Sequence, residues 1–142
     1  MRYLYVLERL PNNLAASIPD LPGVGATGRD AAELERRLSQ ALALHLHTMR
    51  QDGDTIPRPS ATPGDPELAL GPGETASYVE PAPLNPVSLA LREVLAESAL
   101  SQAELAGRLG VSVAAVSRFL SPFYWGHSLK ALRQVAEALG VE

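Results

Sequence analysis

The chain has 142 residues, 46% of them apolar and 20% charged, and no cysteine. This is the composition of one globular domain or two small ones, and it excludes a disulfide scaffold, thiolate metal sites and thiol nucleophiles. The net charge of −4 is unevenly spread. Residues 1–80 carry seven arginines against eleven acidic residues, whereas residues 81–142 carry five of each sign. An acidic first part repels phosphate backbones and attracts basic partners; the neutral second part can hold DNA only by local placement of its cations. No apolar run is long enough for a bilayer, and Met1-Arg2-Tyr3-Leu4 opens no secretory h-region. The expectation is a soluble, cytoplasmic protein.

In chain order, Tyr3 to Leu7 is β-branched and aromatic-rich, and Pro11-Asn12-Asn13 closes it with turn residues. Leu14 to Ile18 reads as a second strand. Asp20-Leu21-Pro22-Gly23 is turn chemistry, in which Asp20 is expected to make a local Asx hydrogen bond. Val24 to Thr27 reads as a third strand. A helix follows, with Asp30 as its cap and Glu33 three residues later. Ala31, Leu34, Leu38, Ala41, Leu42, His45 and Met49 form its apolar stripe, and Asp52-Gly53 closes it. Eight of the twelve prolines lie between Pro57 and Pro86, so residues 56–73 read as a stiff, extended spacer. A fourth strand around Ala76 to Val79 completes β-β-β-α-β.

From there the period is helical. Asn85-Pro86 opens a helix as cap and first residue. Ser101 and Glu104 have capping-box spacing, Gly110 stops that helix, Ser112 caps the next, Pro122 ends it, and Ser128 to Leu139 forms a last helix closed by Gly140. The fold class is therefore α+β: a sheet-and-helix domain over 1–80, then an all-α domain over 81–142.

The run Gln102-Ala103-Glu104-Leu105-Ala106-Gly107-Arg108-Leu109-Gly110-Val111-Ser112-Val113-Ala114-Ala115-Val116-Ser117-Arg118-Phe119-Leu120 carries the chief motif. A DNA-binding helix-turn-helix needs a small residue where its helices touch, a glycine at the turn and an apolar residue on the second helix's inner face. Ala106, Gly110 and Val116 stand at those positions. Leu129 to Val141 resembles the closing helix of phage-repressor-like proteins. Val113 and Ala114, at the start of the second helix, offer only apolar contact with thymine methyls. Ser117 and Arg118 are its polar candidates, while Gln102 and Ser112 are placed to hold phosphates. These six residues are the expected DNA-binding set.

Tyr3 to Glu8, then Ser17-Ile18-Pro19-Asp20-Leu21-Pro22-Gly23, Thr27-Gly28, a Leu/Ala helix, and Asp52-Gly53-Asp54-Thr55-Ile56-Pro57-Arg58-Pro59-Ser60 resemble the HicB antitoxin family. The PDLPG turn and the DG-x-x-IP-x-PS tail, about thirty residues apart, are the specific pair. The resemblance implies a partial RNase H-like domain that neutralises a small, basic, mRNA-cleaving HicA-type toxin. It also implies a C-terminal domain that binds operator DNA and represses its own operon. Because one neutral module with few basic contacts cannot hold DNA tightly, whereas two joined modules gain avidity, a homodimer or higher homo-oligomer is expected. The alternative is a stand-alone transcriptional regulator whose N-terminal domain senses a small ligand.

The remaining chemistry is sparse, and no enzyme activity, cofactor or metal site is expected. A nuclease centre needs several carboxylates converging on two metals, but Glu8, Asp20, Asp52 and Asp54 show no such grouping by spacing. His45 and His47 point apart on a helix and cannot share a metal. His45 reads as a core histidine, His47 as solvent-facing and His127 as an isolated loop residue. Phe123-Tyr124-Trp125 either covers the helical core or makes a dimer contact.

Overall fold

The computed structural model describes residues 1–140; Val141, in the last motif quoted above, lies outside them. Two compact units divide the chain, Met1–Pro83 and Leu84–Glu142. The order is α+β followed by all-helical, as the sequence predicts. No described helix is long and apolar enough to cross a membrane.

The first unit is an antiparallel sheet of four strands, β1 (Tyr3–Arg9), β2 (Leu14–Ser17), β3 (Gly25–Gly28) and β4 (Glu74–Val79), in the order β3-β2-β1-β4. Strand β1 is central, pairing Val6 with both Ser17 and Ala76. Alternation along the strands sends Tyr3, Tyr5, Leu14, Ala16 and Val79 to one face, where they form a single core with helix α1 (Ala31–Asp52). Gly28 is buried where β3 turns into α1: a Cβ there would lie 2.6 Å from the Leu34 amide nitrogen. Only a hydrogen fits at that crossing.

Asp30 caps α1 by accepting from the Glu33 amide at 2.8 Å. Glu33 returns the bond to Arg29 rather than to Asp30, taking both the Arg29 amide and its Nε. These hydrogen bonds, aided by the nearby charges of Arg29 and Arg37, hold the Glu33 carboxyl below its ordinary range. Gly53 ends the helix at φ 75°. The buried row is Leu34, Leu38, Leu42 and Leu46, with Ala43 beside it. It follows every fourth residue, the ridge that helices offer for packing. His45 is therefore only half-buried at the margin of the stripe, and Leu46 takes the interior place.

The proline-rich stretch departs from the expected free spacer at its beginning. Ile56 packs against the core, Ala61 is buried, and the Tyr3 hydroxyl donates to the Pro57 carbonyl at 2.6 Å. Asp20 accepts from the Ser60 amide at 2.8 Å, the Ser60 hydroxyl at 2.7 Å and the Ala61 amide at 3.1 Å. So Asp20 makes a latch across forty positions of sequence, not a local Asx turn. The physical reason is conformational: Pro57 and Pro59 keep this segment extended, without hydrogen bonds of its own, so the amides of Ser60 and Ala61 must find an acceptor elsewhere in the fold. Burial alone would raise the Asp20 carboxyl, but the three hydrogen bonds outweigh it and hold the group below its ordinary value. The Tyr3 phenol is pushed up, by burial first and then by the charge of Asp20, so it remains a donor. Further on, a one-turn 3-10 helix spans Pro66–Leu68.

The second unit holds α2 (Pro86–Glu97), α3 (Gln102–Leu109), α4 (Val113–Phe119) and α5 (Leu129–Leu139). Its core joins Leu95, Leu105, Ala106, Val116 and Leu120. His127 is the opposite of an isolated residue. Its Nε2 lies 2.7 Å from the Phe119 carbonyl and 3.1 Å from the Ser88 hydroxyl, and its Nδ1 lies 3.1 Å from Asn85 Nδ2. The Phe119 and Tyr124 rings meet it edge-on. Asn85 also caps α2 through the Val87 amide and donates to the Tyr124 carbonyl. Both its amide groups are thus spoken for, which fixes the start of α2 against the loop before α5. In Phe123-Tyr124-Trp125, the first two are half-buried but Trp125 is 58% exposed.

Candidate nucleic-acid interface

The two motif helices owe their ends to local chemistry. The Ser101 hydroxyl accepts from the Glu104 amide at 3.1 Å, and the Glu104 carboxylate accepts from the Ser101 amide at 3.3 Å, a complete capping box. Gly110, at φ 70°, ends α3 and lets the chain reverse within three residues. Ser112 then caps α4 by accepting from the Ala115 amide at 3.1 Å. Val116, 3% exposed, anchors the inner face of α4 against Leu105 and the small Ala106. Ala106 lets the helices approach closely, as its place in the motif requires.

With Val116 inward, helical periodicity turns Val113, Ala114, Ser117 and Arg118 outward on one face, and all four are exposed. Gln102 and Ser112 are exposed as well, at the starts of α3 and α4. Ser112 uses its oxygen as the cap acceptor, which leaves its hydroxyl hydrogen free to donate outward. Gln102 is the first residue of α3, where backbone N–H groups lack helical acceptors. All six candidates are therefore solvent-facing; none is consumed by the core.

The cations of this unit differ in their commitments. Arg108 donates to the Ala138 carbonyl at 2.9 Å, tying α3 to the end of α5. Arg133 pairs with Glu137 at 3.3 Å. Arg118 takes part in none of the ion pairs among the described residues. The tie from Arg108 to α5 escapes sequence reasoning, because it spans thirty positions and the acceptor is a main-chain oxygen. Among the described residues, no three histidine or acidic side chains gather as a metal site.

The architecture defines a class: a sheet-and-helix unit followed by a helical unit in which two short helices meet across a tight glycine turn. No protein-family model matches the sequence, and no curated protein matches it. Solved structures resemble it in part. One is described as a HicA3 and HicB3 toxin-antitoxin complex, a chain of which is 24% identical over 58% of this chain and 100% of its own, with a TM-score of 0.49. The crystal structure of the Burkholderia pseudomallei antitoxin HicB is 18% identical over 82% of this chain and 96% of its own, with a TM-score of 0.48. The N-terminal domain of that antitoxin is 20% identical over 56% of this chain and 96% of its own, with a TM-score of 0.47. At these identities and scores, none of the likenesses assigns an activity to this chain.

Proposed function

We propose that this chain is an antitoxin of the HicB type: its first unit captures and blocks a small, basic, mRNA-cleaving toxin, and its second unit holds operator DNA and represses the operon. One observation carries the reading. The two segments that resemble the family, PDLPG and IP-x-PS, meet in space, with Asp20 of one accepting from Ser60 of the other at 2.7 and 2.8 Å. The two motifs thus form one structural latch within an acidic β-β-β-α-β unit.

The second unit supports the DNA half of the reading. Its outward set of Gln102, Ser112, Val113, Ala114, Ser117 and Arg118 offers few polar groups, so shape, spacing and avidity between two linked copies must supply much of the binding. A homodimer reading an inverted repeat meets that need. The protein has no catalytic role in this scheme: the chemistry belongs to the toxin, and the antitoxin acts by occupying it.

The test is co-expression with the small basic product of the neighbouring reading frame. Restored growth together with co-purification of the two proteins is the expected result. Continued toxicity beside folded, soluble antitoxin refutes the toxin half. Equal retention of upstream and unrelated DNA at every salt concentration refutes the operator half.

A further inference from the structure

We propose that the helical unit binds small aromatic monocarboxylates in a cavity between α3, α4 and α5. The cavity has a volume of about 160 Å³ and lies within the second unit alone. The pocket is half-open to solvent, and its inner space accommodates about one benzene-sized ring. Leu105, Val116 and Val135 give it aliphatic walls, and the rings of Phe119 and Tyr124 line it too. A flat ring packs edge-on or offset against aromatic walls better than a branched alkyl group does. Ala115 and Ala131 contribute one methyl each to the lining, which is why space remains at all.

Two polar side chains, Arg118 and Gln134, line the same cavity. Among the described residues Arg118 forms no ion pair, while Arg133 is paired with Glu137 and Arg108 is bound to a carbonyl. The Tyr124 hydroxyl is committed to the Gly126 carbonyl at 3.2 Å. Arg118 and Gln134 thus bring the uncommitted polar side chains to the lining of an apolar, ring-sized pocket. A guanidinium binds a carboxylate through two parallel hydrogen bonds, and charge complementarity selects an anion over a neutral ring. Arg118 also belongs to the outward face proposed above for DNA. A bound carboxylate would compete with phosphate for it, and that consequence alone rests on the antitoxin reading.

The experiment uses the full chain without DNA, so that its outcome is separate from the fate of that reading. Benzoate is titrated while the methyl resonances of the protein are followed by NMR, with benzyl alcohol as the neutral control. The expected result is saturable shifts at the methyls of Leu105, Ala115, Val116, Ala131 and Val135, half-complete at about millimolar benzoate, as suits a nine-atom ligand. Benzyl alcohol, and benzoate against Arg118→Gln, should each bind about tenfold more weakly. Ala115→Leu fills the space and should abolish the shifts; Arg118→Gln lies on the surface and keeps the test valid if the filled variant does not fold. Absent or unsaturable shifts, equal binding of the alcohol, or unchanged binding by a folded Ala115→Leu overturns the proposal. So does movement of the same methyls on simple dilution, which would mean that a second copy covers the cavity.

Discussion

Replacing Asp20 by alanine leaves three donors without their acceptor: the Ser60 amide, the Ser60 hydroxyl and the Ala61 amide. Hydrogen bonds to a charged group are each worth about 1.5–3 kcal/mol, but the three losses are not equal. Ser60 is exposed, so water restores its two donors at little cost, whereas Ala61 is 8% exposed and its amide is left with poor access to solvent. The net loss should be about 2–3 kcal/mol, or a fall of about 10–20 °C in the melting of an 80-residue unit. Asparagine is the control. Its amide oxygen can keep both backbone donors, and its amide nitrogen can donate to the Ser60 hydroxyl, so it loses only the charge, about 1 kcal/mol. The pH dependence has a definite sign. A carboxyl held below its ordinary value in the folded state stabilises above the unfolded pKa of about 3.9, and that stabilisation disappears as pH falls through the folded value. Wild type and Asp20→Ala should therefore differ most at neutral pH and converge below about pH 4. Thermal melts across that range and hydrogen exchange at the Ala61 amide measure both effects. Equal losses from alanine and asparagine, or unchanged protection of Ala61 in Asp20→Ala, would refute the latch.

Gly28→Ala should cost about 3 kcal/mol in the first unit, because the new methyl meets the backbone of Leu34 rather than a movable side chain; differential scanning calorimetry measures it. His127→Ala should lower the stability of the helical unit by about 2–3 kcal/mol, through lost ring packing and the broken link to Asn85, and leave the sheet unit unchanged. Methyl and amide NMR spectra resolve the two units in that variant. Arg118→Ala should leave stability within about 0.5 kcal/mol, having no ion-pair partner to strand. It should weaken DNA of every sequence alike, flattening the salt slope by about one unit; titrations of operator and random duplexes at several salt concentrations check this.

The amino-acid sequence by itself determined the features whose causes lie within four residues. Asn85-Pro86, the Ser101–Glu104 box, Gly110, Ser112 and Ser128 end or begin helices by bonds between near neighbours, so each boundary could be read directly from the chain. The outward set on α4 was legible for the same reason: once Val116 is the inner residue, 100° per residue decides where Ser117 and Arg118 point. What only the tertiary structure decided are the contacts made across long separations. Asp20 looks like a turn residue until Ser60 and Ala61 arrive from forty positions away with amides to satisfy. His127 looks solitary until Asn85 and Ser88, on a different helix and its cap, close around its ring. His45 gave way to Leu46 because packing on the sheet selects a fourth-residue ridge, and periodicity alone cannot say which of two adjacent stripes faces inward. The pocket beside Arg118 belongs to the same kind, since its walls come from three helices together and no single one of them encodes it.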